Sequence, residues 1–317
     1  MYRIFALIVI LFFSSYQAKA QCFASAGNPV GGTANMGVME KKTLRLAGFY
    51  RYSHSGKYMS GDKSYTGSSG ILNKAFFNYA GWLSGYGVSD KLTIETEGGY
   101  FINKTQSYKL NNECLTGFGL SNAVLSVKPR LYINRDKRIE ISGAIGVNIP
   151  FSKEFQVVDN VTLPVDIQPS TGSYGLVFQS FFIKEDSFNA NRFFLINRIE
   201  KYFENKENYL FGTSYSTSFY FSKHYVFEKW KLKDWTMILQ LKNQIKQKNI
   251  RKNNTVEASG SCLFFLTPQI NLSLYDKWNV SVLFDIPIYQ HYNEVQLANS
   301  YSFAFSLIRD FSFYKNN

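Results

Sequence analysis

Long apolar segments, cysteine and histidine are all scarce in this chain. After residue 20, no stretch of the 317 residues approaches the roughly 18 apolar residues that a membrane-spanning helix needs. The mean hydropathy of −0.19 is also too low for a helical membrane protein. The chain has three cysteines, and an odd number excludes a fully paired disulfide framework. Its histidines, His54, His224 and His291, lack the clustered spacing of a metal site.

The start of the chain predicts export. A basic Met1–Arg3 precedes an apolar run from Ile4 to Phe13, and Ala18-Lys19-Ala20 has the small residues that signal peptidase requires. We therefore expect residues 1–20 to be a signal peptide that is cleaved after Ala20. The mature chain would then meet an oxidising compartment, where Cys114 and Cys262 could pair, although free thiols are favoured. Cys22 lacks a lipoprotein context.

The mature chain alternates between apolar and small or polar residues. Within residues 138–149 the large apolar side chains all fall at odd-numbered positions, so they would share one face of a strand. They are Ile139, Ile141, Ile145, Val147 and Ile149. Strands with one apolar and one polar face, in an exported chain with 29 Phe and 22 Tyr, predict a transmembrane β-barrel with aromatic girdles. The predicted fold class is all-β, an antiparallel up-and-down barrel of about 12 strands.

The order of strands and connections supports the barrel. Residues 21–42 are predicted to be a flexible periplasmic segment, and 43–317 the barrel. Short turns at residues 89–91, 135–137 and 276–277 alternate with longer connections, as in outer-membrane barrels. The connections within residues 184–233 do not follow this alternation clearly, so the predicted strand number is uncertain by two. The predicted strands are 43–54, 73–87, 91–104, 117–133, 138–150, 173–184, 190–203, 207–222, 234–248, 257–275, 278–290 and 298–313.

The polar face of each strand identifies candidate lumen-lining side chains. Ionisable residues on the lipid face cost about 2–4 kcal/mol at the membrane midplane, so most are expected to face inward. The candidates are Arg45, Arg51, Glu95, Glu97, Lys128, Arg130, Glu140, Lys242, Lys246 and Asp285. Their basic excess suggests a slight anion preference, and the alternative is that the charges pair across a plugged lumen. Arg309 is predicted to face outward and to snorkel from a strand end.

Three stretches carry a family resemblance: Gln21–Gly32, Asn78–Asp90 and the aromatic final strand Tyr301–Phe313. They resemble outer-membrane β-barrel proteins of Bacteroidetes described as transporters, which are similar to the family called MetA-pathway of phenol degradation. The resemblance covers nearly the whole chain and implies an outer-membrane channel or transporter. The resemblance does not identify individual residues of a functional site. The aromatic pair Phe313-Tyr314 near the end is the kind of signal that the barrel assembly machinery reads.

The predicted function is passive passage of a small solute, anionic or aromatic and hydrophobic, through a monomeric outer-membrane barrel with no enzymatic activity and no cofactor. Expected partners are the solute, outer-membrane lipid, lipopolysaccharide and the assembly machinery, but not nucleic acid, because the net charge of +12 belongs to an exported chain. One alternative is a phospholipase-like enzyme using His54 and a serine. Ser53 and Ser55 flank His54 and would point away from it in a strand. A second alternative is a non-conducting structural or adhesion barrel.

Overall fold

A computed structural model describes residues 37–67, 70–110, 113–227, 234–274 and 278–313. The predicted signal peptide and most of the predicted periplasmic segment lie outside the described residues, as does the predicted turn at residues 276–277.

In the part of the chain that the structure describes, eleven antiparallel strands form a closed wall in which each strand pairs with its neighbours in sequence. The last strand pairs with the first, from Thr43 opposite Ser312 onward, and this pairing closes the barrel. The strands are β1 (Thr43–Gly61), β2 (Leu72–Ser89), β3 (Leu92–Tyr108), β4 (Ala123–Asn134), β5 (Ile139–Ile149), β6 (Gly175–Asp186), β7 (Asn191–Tyr202), β8 (Ser214–Val226), β9 (Asp234–Lys246), β10 (Ser261–Leu274) and β11 (Trp278–Ser312).

Strand β11 contributes two spans of this wall. Its first half pairs with β10 and its second half with β1. The two halves lie side by side in the wall, as shown by the distance of 2.7 Å between the hydroxyls of Ser281 and Ser306. The positive φ of Glu294, 56°, marks the reversal between them. Within the described residues the chain therefore crosses the wall twelve times, which confirms the predicted all-β barrel.

The two ends of the barrel differ in their connections. At one end, here called the short-turn end, a few residues join β2 to β3, β4 to β5 and β6 to β7. Arg138 and Ala190 adopt positive φ in two of these turns, which lets the chain reverse tightly. Connections at the opposite, long-loop end are longer. Both Thr43 and Ser312 lie at the short-turn end.

Short extra elements decorate the barrel. Lys63–Ser64 pairs with β1, and Cys114–Leu120 pairs with β3 just before β4. Val157–Val158 and Val161–Thr162 form a small hairpin, which precedes a 3₁₀ turn at Val165–Ile167. Tyr209–Leu210, Asn249–Arg251 and Asn254–Val256 form a separate three-stranded sheet.

The prediction of one strand over 207–222 was wrong at its start, because β8 begins at Ser214. Tyr209 instead pairs with Arg251 in the separate sheet. Asn208 has a φ of 53°, which turns the chain away from the wall. The Tyr209 side chain is buried, and its hydroxyl accepts a hydrogen bond of 2.7 Å from Asn249 Nδ2. These contacts stabilise the departure from the wall.

The outer face of the wall is an apolar belt. Leu131, Ile145 and Val282 are 66%, 59% and 54% exposed, and their sequence neighbours are mostly buried. Soluble monomers rarely expose apolar patches this extended, so the belt fits contact with lipid. No helix among the described residues is long and apolar enough to cross a membrane.

Candidate functional site: the barrel interior

Polar side chains cover much of the interior. All ten residues predicted to face inward are buried or half-buried, and Arg51, Lys128, Lys242 and Asp285 are among the most buried. Successive side chains of a strand point to opposite faces, so these residues face inward while the residues between them belong to the apolar belt.

A first ion-pair network joins β1, β9, β10 and β11. Arg51 Nη2 lies 2.6 Å from Asp285 Oδ2, and Lys242 Nζ lies 3.1 Å from Asp285 Oδ1. Thr267 Oγ1 donates to the same carboxylate at 2.5 Å. The Lys242 ammonium also lies 4.7 Å from the centre of the Phe265 ring. One buried carboxylate thus holds two cations from strands that are not adjacent in the wall.

A second network, centred on Arg198 of β7, spans the lumen. Its Nη2 is paired with Glu97 Oε1 of β3, and three strands separate β3 from β7 along the wall. Its Nε lies 2.5 Å from Glu200 Oε1, and Tyr202 donates to the other Glu200 oxygen at 3.0 Å. The pair Arg198–Glu97 therefore narrows the interior.

Arg198 and Glu200 were missed by the sequence analysis, although a signal was present. They alternate with outward Ile199 in a predicted strand. The connections between residues 184 and 233 do not follow the short-turn and long-loop alternation clearly, so the inward face of this strand was harder to assign. No pattern in the sequence, however, could show that Glu97 is their partner, because that contact is set by barrel closure.

Further ion pairs lie closer to the short-turn end. Lys128 Nζ is 3.2 Å from Glu95 Oε1, and Arg130 Nε is 3.5 Å from Glu140 Oε1. Arg45 forms a bidentate contact with Asp310, with N–O distances of 2.7 and 2.5 Å. The ammonium of Lys246, in contrast, lies 5.9 Å from the Phe211 ring near the long-loop end. Most predicted interior charges are thus paired with a side chain of opposite sign, and these three pairs join strands that are adjacent in the wall.

Residues 37–42 occupy the mouth at the short-turn end. Val38 and Met39 are buried there. Val38 N donates to Glu140 Oε1 at 2.7 Å, and Arg130 Nη2 donates to Val38 O at 3.1 Å. Met39 N donates to Thr93 Oγ1 at 2.9 Å. This part of the chain is held against the inner wall by bonds to β3, β4 and β5.

Aromatic rings add an apolar cluster to the interior. Phe49, Phe77, Tyr79 and Phe101 are buried together. Glycine makes room for them on the inner face, because a Cβ on Gly81 would lie 1.9 Å from the Phe49 ring. The Tyr79 hydroxyl is 3.0 Å from Ser121 Oγ. The interior is therefore filled by both charged and aromatic side chains.

Two cavities open at opposite ends of the interior. The cavity toward the long-loop end has a volume of about 200 Å³ and includes Lys104, Gln168 and Lys246 among its lining residues. The cavity at the short-turn end has a volume of about 620 Å³ and includes Arg45, Arg130 and Glu140. Between them lies what we call the central layer, formed by Arg51, Glu97, Lys128, Arg198, Lys242 and Asp285.

The long loop between β5 and β6 covers the first cavity. Ile167 in its 3₁₀ turn is fully buried. Lys104 Nζ of β3 donates to Gln168 O at 3.2 Å, and the Gln168 side chain bonds Gln156 N at 2.7 Å. Gly117 permits the close approach, because a Cβ there would lie 1.9 Å from Ile167 O.

His54 and its flanking serines, which the phospholipase-like alternative requires, do not come together. His54 lies on the outer face, where it stacks on Tyr301 with ring centres 5.4 Å apart. Ser53 and Ser55 are buried on the inner face, and Ser53 Oγ accepts a bond of 3.0 Å from Asn299 Nδ2. The wall thus separates His54 from its flanking serines.

The described residues contain no group of three or more His, Cys, Asp or Glu side chains that could hold a metal ion. Cys114 and Cys262 are both free thiols.

Comparison with known proteins identifies the fold and not a family. No family model matches the chain, and no curated protein matches it. Among solved structures, the COG4313 outer membrane channel from Pseudomonas putida F1 superposes with a TM-score of 0.67 at 10% identity, covering 88% of this chain and 98% of that one. At this identity the likeness shows a shared barrel fold.

Two further solved barrels resemble the chain more distantly. The beta domain of the Bordetella autotransporter BrkA matches with a TM-score of 0.48 at 8% identity, over 86% of this chain and all of that one. A FadL homologue of Pseudomonas aeruginosa matches with a TM-score of 0.36 at 9% identity, over 86% and 91% of the two chains.

Proposed function

We propose that this protein is an outer-membrane channel through which small solutes diffuse. The observation that carries the proposal is the contrast between the two faces of the closed wall. An apolar belt surrounds an interior of charged and polar side chains with a cavity at each end. A polar interior is expected in barrels that conduct and is costly to bury otherwise. The shared fold with a solved outer membrane channel supports the proposal.

The central layer sets the rate and size limit of passage. Solute moving between the two cavities must displace side chains that reach across the interior, above all Arg198 and Glu97. These contacts are between side chains and not between backbone segments, so rotamer changes can open them on a short timescale. We expect slow passage of small molecules and exclusion of large ones.

Charge selectivity is expected to be slight. Adding Arg198, Glu200 and Asp310 to the ten predicted interior residues leaves seven basic against six acidic side chains. Paired charges cancel at a distance greater than their separation, so only a weak preference for anions remains. The preference for aromatic or hydrophobic solutes would come from the buried rings of Phe49, Tyr79 and Phe101.

The remaining expectations fit the same proposal. Residues 1–20 would direct export, and the assembly machinery would insert the barrel as a monomer with the short-turn end in the periplasm and the long-loop end meeting lipopolysaccharide. The resemblance to Bacteroidetes transporters and to the MetA-pathway of phenol degradation family is compatible with this function.

Liposome swelling tests the proposal directly. Vesicles containing the refolded protein are mixed with sugars, organic acids and aromatic solutes of increasing size, and vesicles refolded with an unrelated non-conducting barrel serve as the control. We expect swelling that is faster than the control and slows as solutes grow. Absence of swelling with every solute, together with absence of current in planar bilayers, would contradict the proposal.

The enzyme alternative has its own discriminating measurement. Phospholipid hydrolysis by the wild-type protein that disappears in His54→Ala would favour an enzyme over a channel. We expect no hydrolysis in either protein, because His54 and the flanking serines lie on opposite faces of the wall.

A further inference from the structure

An apolar groove with a volume of about 500 Å³ runs along the outer face of β1, β2 and β11. Its floor is at Gly48, where a Cβ would meet no atom within 4 Å. Gly48 lies opposite Trp82 on one side and Leu307 on the other. The groove is thus a gap in the apolar belt between two large side chains. Its other apolar walls include Leu46, Tyr50 and Phe305.

A cation closes the groove toward the short-turn end. Arg309 occupies an outward position opposite Leu46. Its guanidinium lies 4.8 Å from the Trp278 ring and 4.5 Å from the Phe311 ring. Arg309 Nε is buried and has no hydrogen-bond partner among the described residues. The two rings hold the side chain against the wall, so the charge is fixed at one end of an apolar surface.

This arrangement is complementary to a phospholipid. Guanidinium recognises phosphate through paired hydrogen bonds, and Arg holds such contacts in partly apolar surroundings. From Leu46 to Tyr50 the groove follows four residue steps of strand, about 13 Å at the usual rise, which suits a stretch of acyl chain. Trp278 is the first residue of β11 and lies at the short-turn end, so the charge is at the level of the headgroups on that side.

We propose that the groove binds one phospholipid of the periplasmic leaflet, with an acyl chain over Gly48 and the phosphate at Arg309. The assignment to that leaflet, and hence to a phospholipid and not lipopolysaccharide, rests on the proposed function and its orientation of the barrel. Such a lipid would cover the seam where β11 closes on β1.

Native mass spectrometry of the full chain tests the site. The refolded protein is stripped of lipid in detergent, titrated with phosphatidylglycerol, and compared with Arg309→Gln and Gly48→Leu. We expect one lipid to bind to the wild type at concentrations where both variants are largely empty. The loss of a charge-assisted contact corresponds to about tenfold or more weaker binding.

Matched controls separate the groove from general contact with lipid. Lys223→Gln removes another outward cation, which lies opposite Met237 near the short-turn end. Gly143→Leu enlarges another residue of the outer face, where the nearest atom to a Cβ is 3.5 Å away. Both controls are expected to bind like the wild type. Heat-modifiable migration in gels verifies that each variant is folded.

Three outcomes would overturn the proposal: equal binding by the wild type and by Arg309→Gln, equal loss in the groove variants and their controls, or tighter binding of lipid A than of phosphatidylglycerol. Since the readout is mass and not flux, the channel proposal could fail in swelling assays while the lipid site stands. Conversely, the lipid site could fail in mass spectrometry while the protein still conducts in swelling assays.

Discussion

Replacing Arg198 with methionine removes the cation that reaches across the barrel. The Arg198 side chain is 5% exposed, and its partners Glu97 and Glu200 are 20% and 8% exposed. Methionine preserves much of the side-chain volume but leaves two carboxylates close together without a cation. Removal of one partner of a buried ion pair costs about 3–5 kcal/mol. Because Glu97 retains some exposure, we expect about 3 kcal/mol, roughly a hundredfold in the folding equilibrium.

The measurement is urea unfolding in lipid vesicles, followed by tryptophan fluorescence. The control is Arg192→Met on the same strand, whose pair with Glu185 is 3.1 Å long but 41% and 34% exposed. An exposed pair contributes about 0–1 kcal/mol, so this variant should unfold close to the wild type. Adding Glu97→Gln and Glu200→Gln to Arg198→Met should restore at least half of the lost stability.

The same variants report on conduction. Arg198→Met removes the ion pair that crosses the central layer and leaves a flexible side chain in its place, so single-channel conductance in planar bilayers should rise above that of the wild type and of Arg192→Met. Equal stability and equal conductance of the two single variants would refute the reasoning that Arg198 closes the interior.

Three further predictions test other parts of the structure. Gly87→Ala would place a Cβ 2.0 Å from Glu40 O and should displace residues 37–42 from the short-turn mouth, measured as faster protease cleavage there and higher conductance. Asp285→Asn leaves two buried cations without their carboxylate and should lower the urea midpoint, while Asp136→Asn, in an exposed turn, should not. Cys114 is an exposed thiol at the long-loop end, whereas Cys262 is half-buried, so an impermeant maleimide applied to intact cells should label the wild type much faster than Cys114→Ser; labelling of both proteins alike would contradict this orientation.

Local alternation is sufficient to predict the strands and their faces. In β4, Leu125 and Val127 are exposed while Ser126 and Lys128 are buried, as their order in the sequence indicates. Side-chain direction reverses at every residue of a strand, so polarity along the chain reports directly on the two solvents. The prediction was wrong near Tyr209, because backbone reversal at Asn208 and burial of the Tyr209 ring override a favourable alternating pattern.

Contacts across the interior depended on the tertiary structure. Alternation along β3 and β7 puts Glu97 and Arg198 on inward faces, yet 101 positions separate them and only closure of the barrel brings them together. The same holds for Arg51 and Asp285, and for Val38 bonded to Glu140 in the short-turn mouth. The sequence by itself determined which side of the wall each residue faces, since that depends on neighbours along one strand. Which charges pair, and how far they fill the lumen, depends on strand number and register, which exist only once the sheet closes.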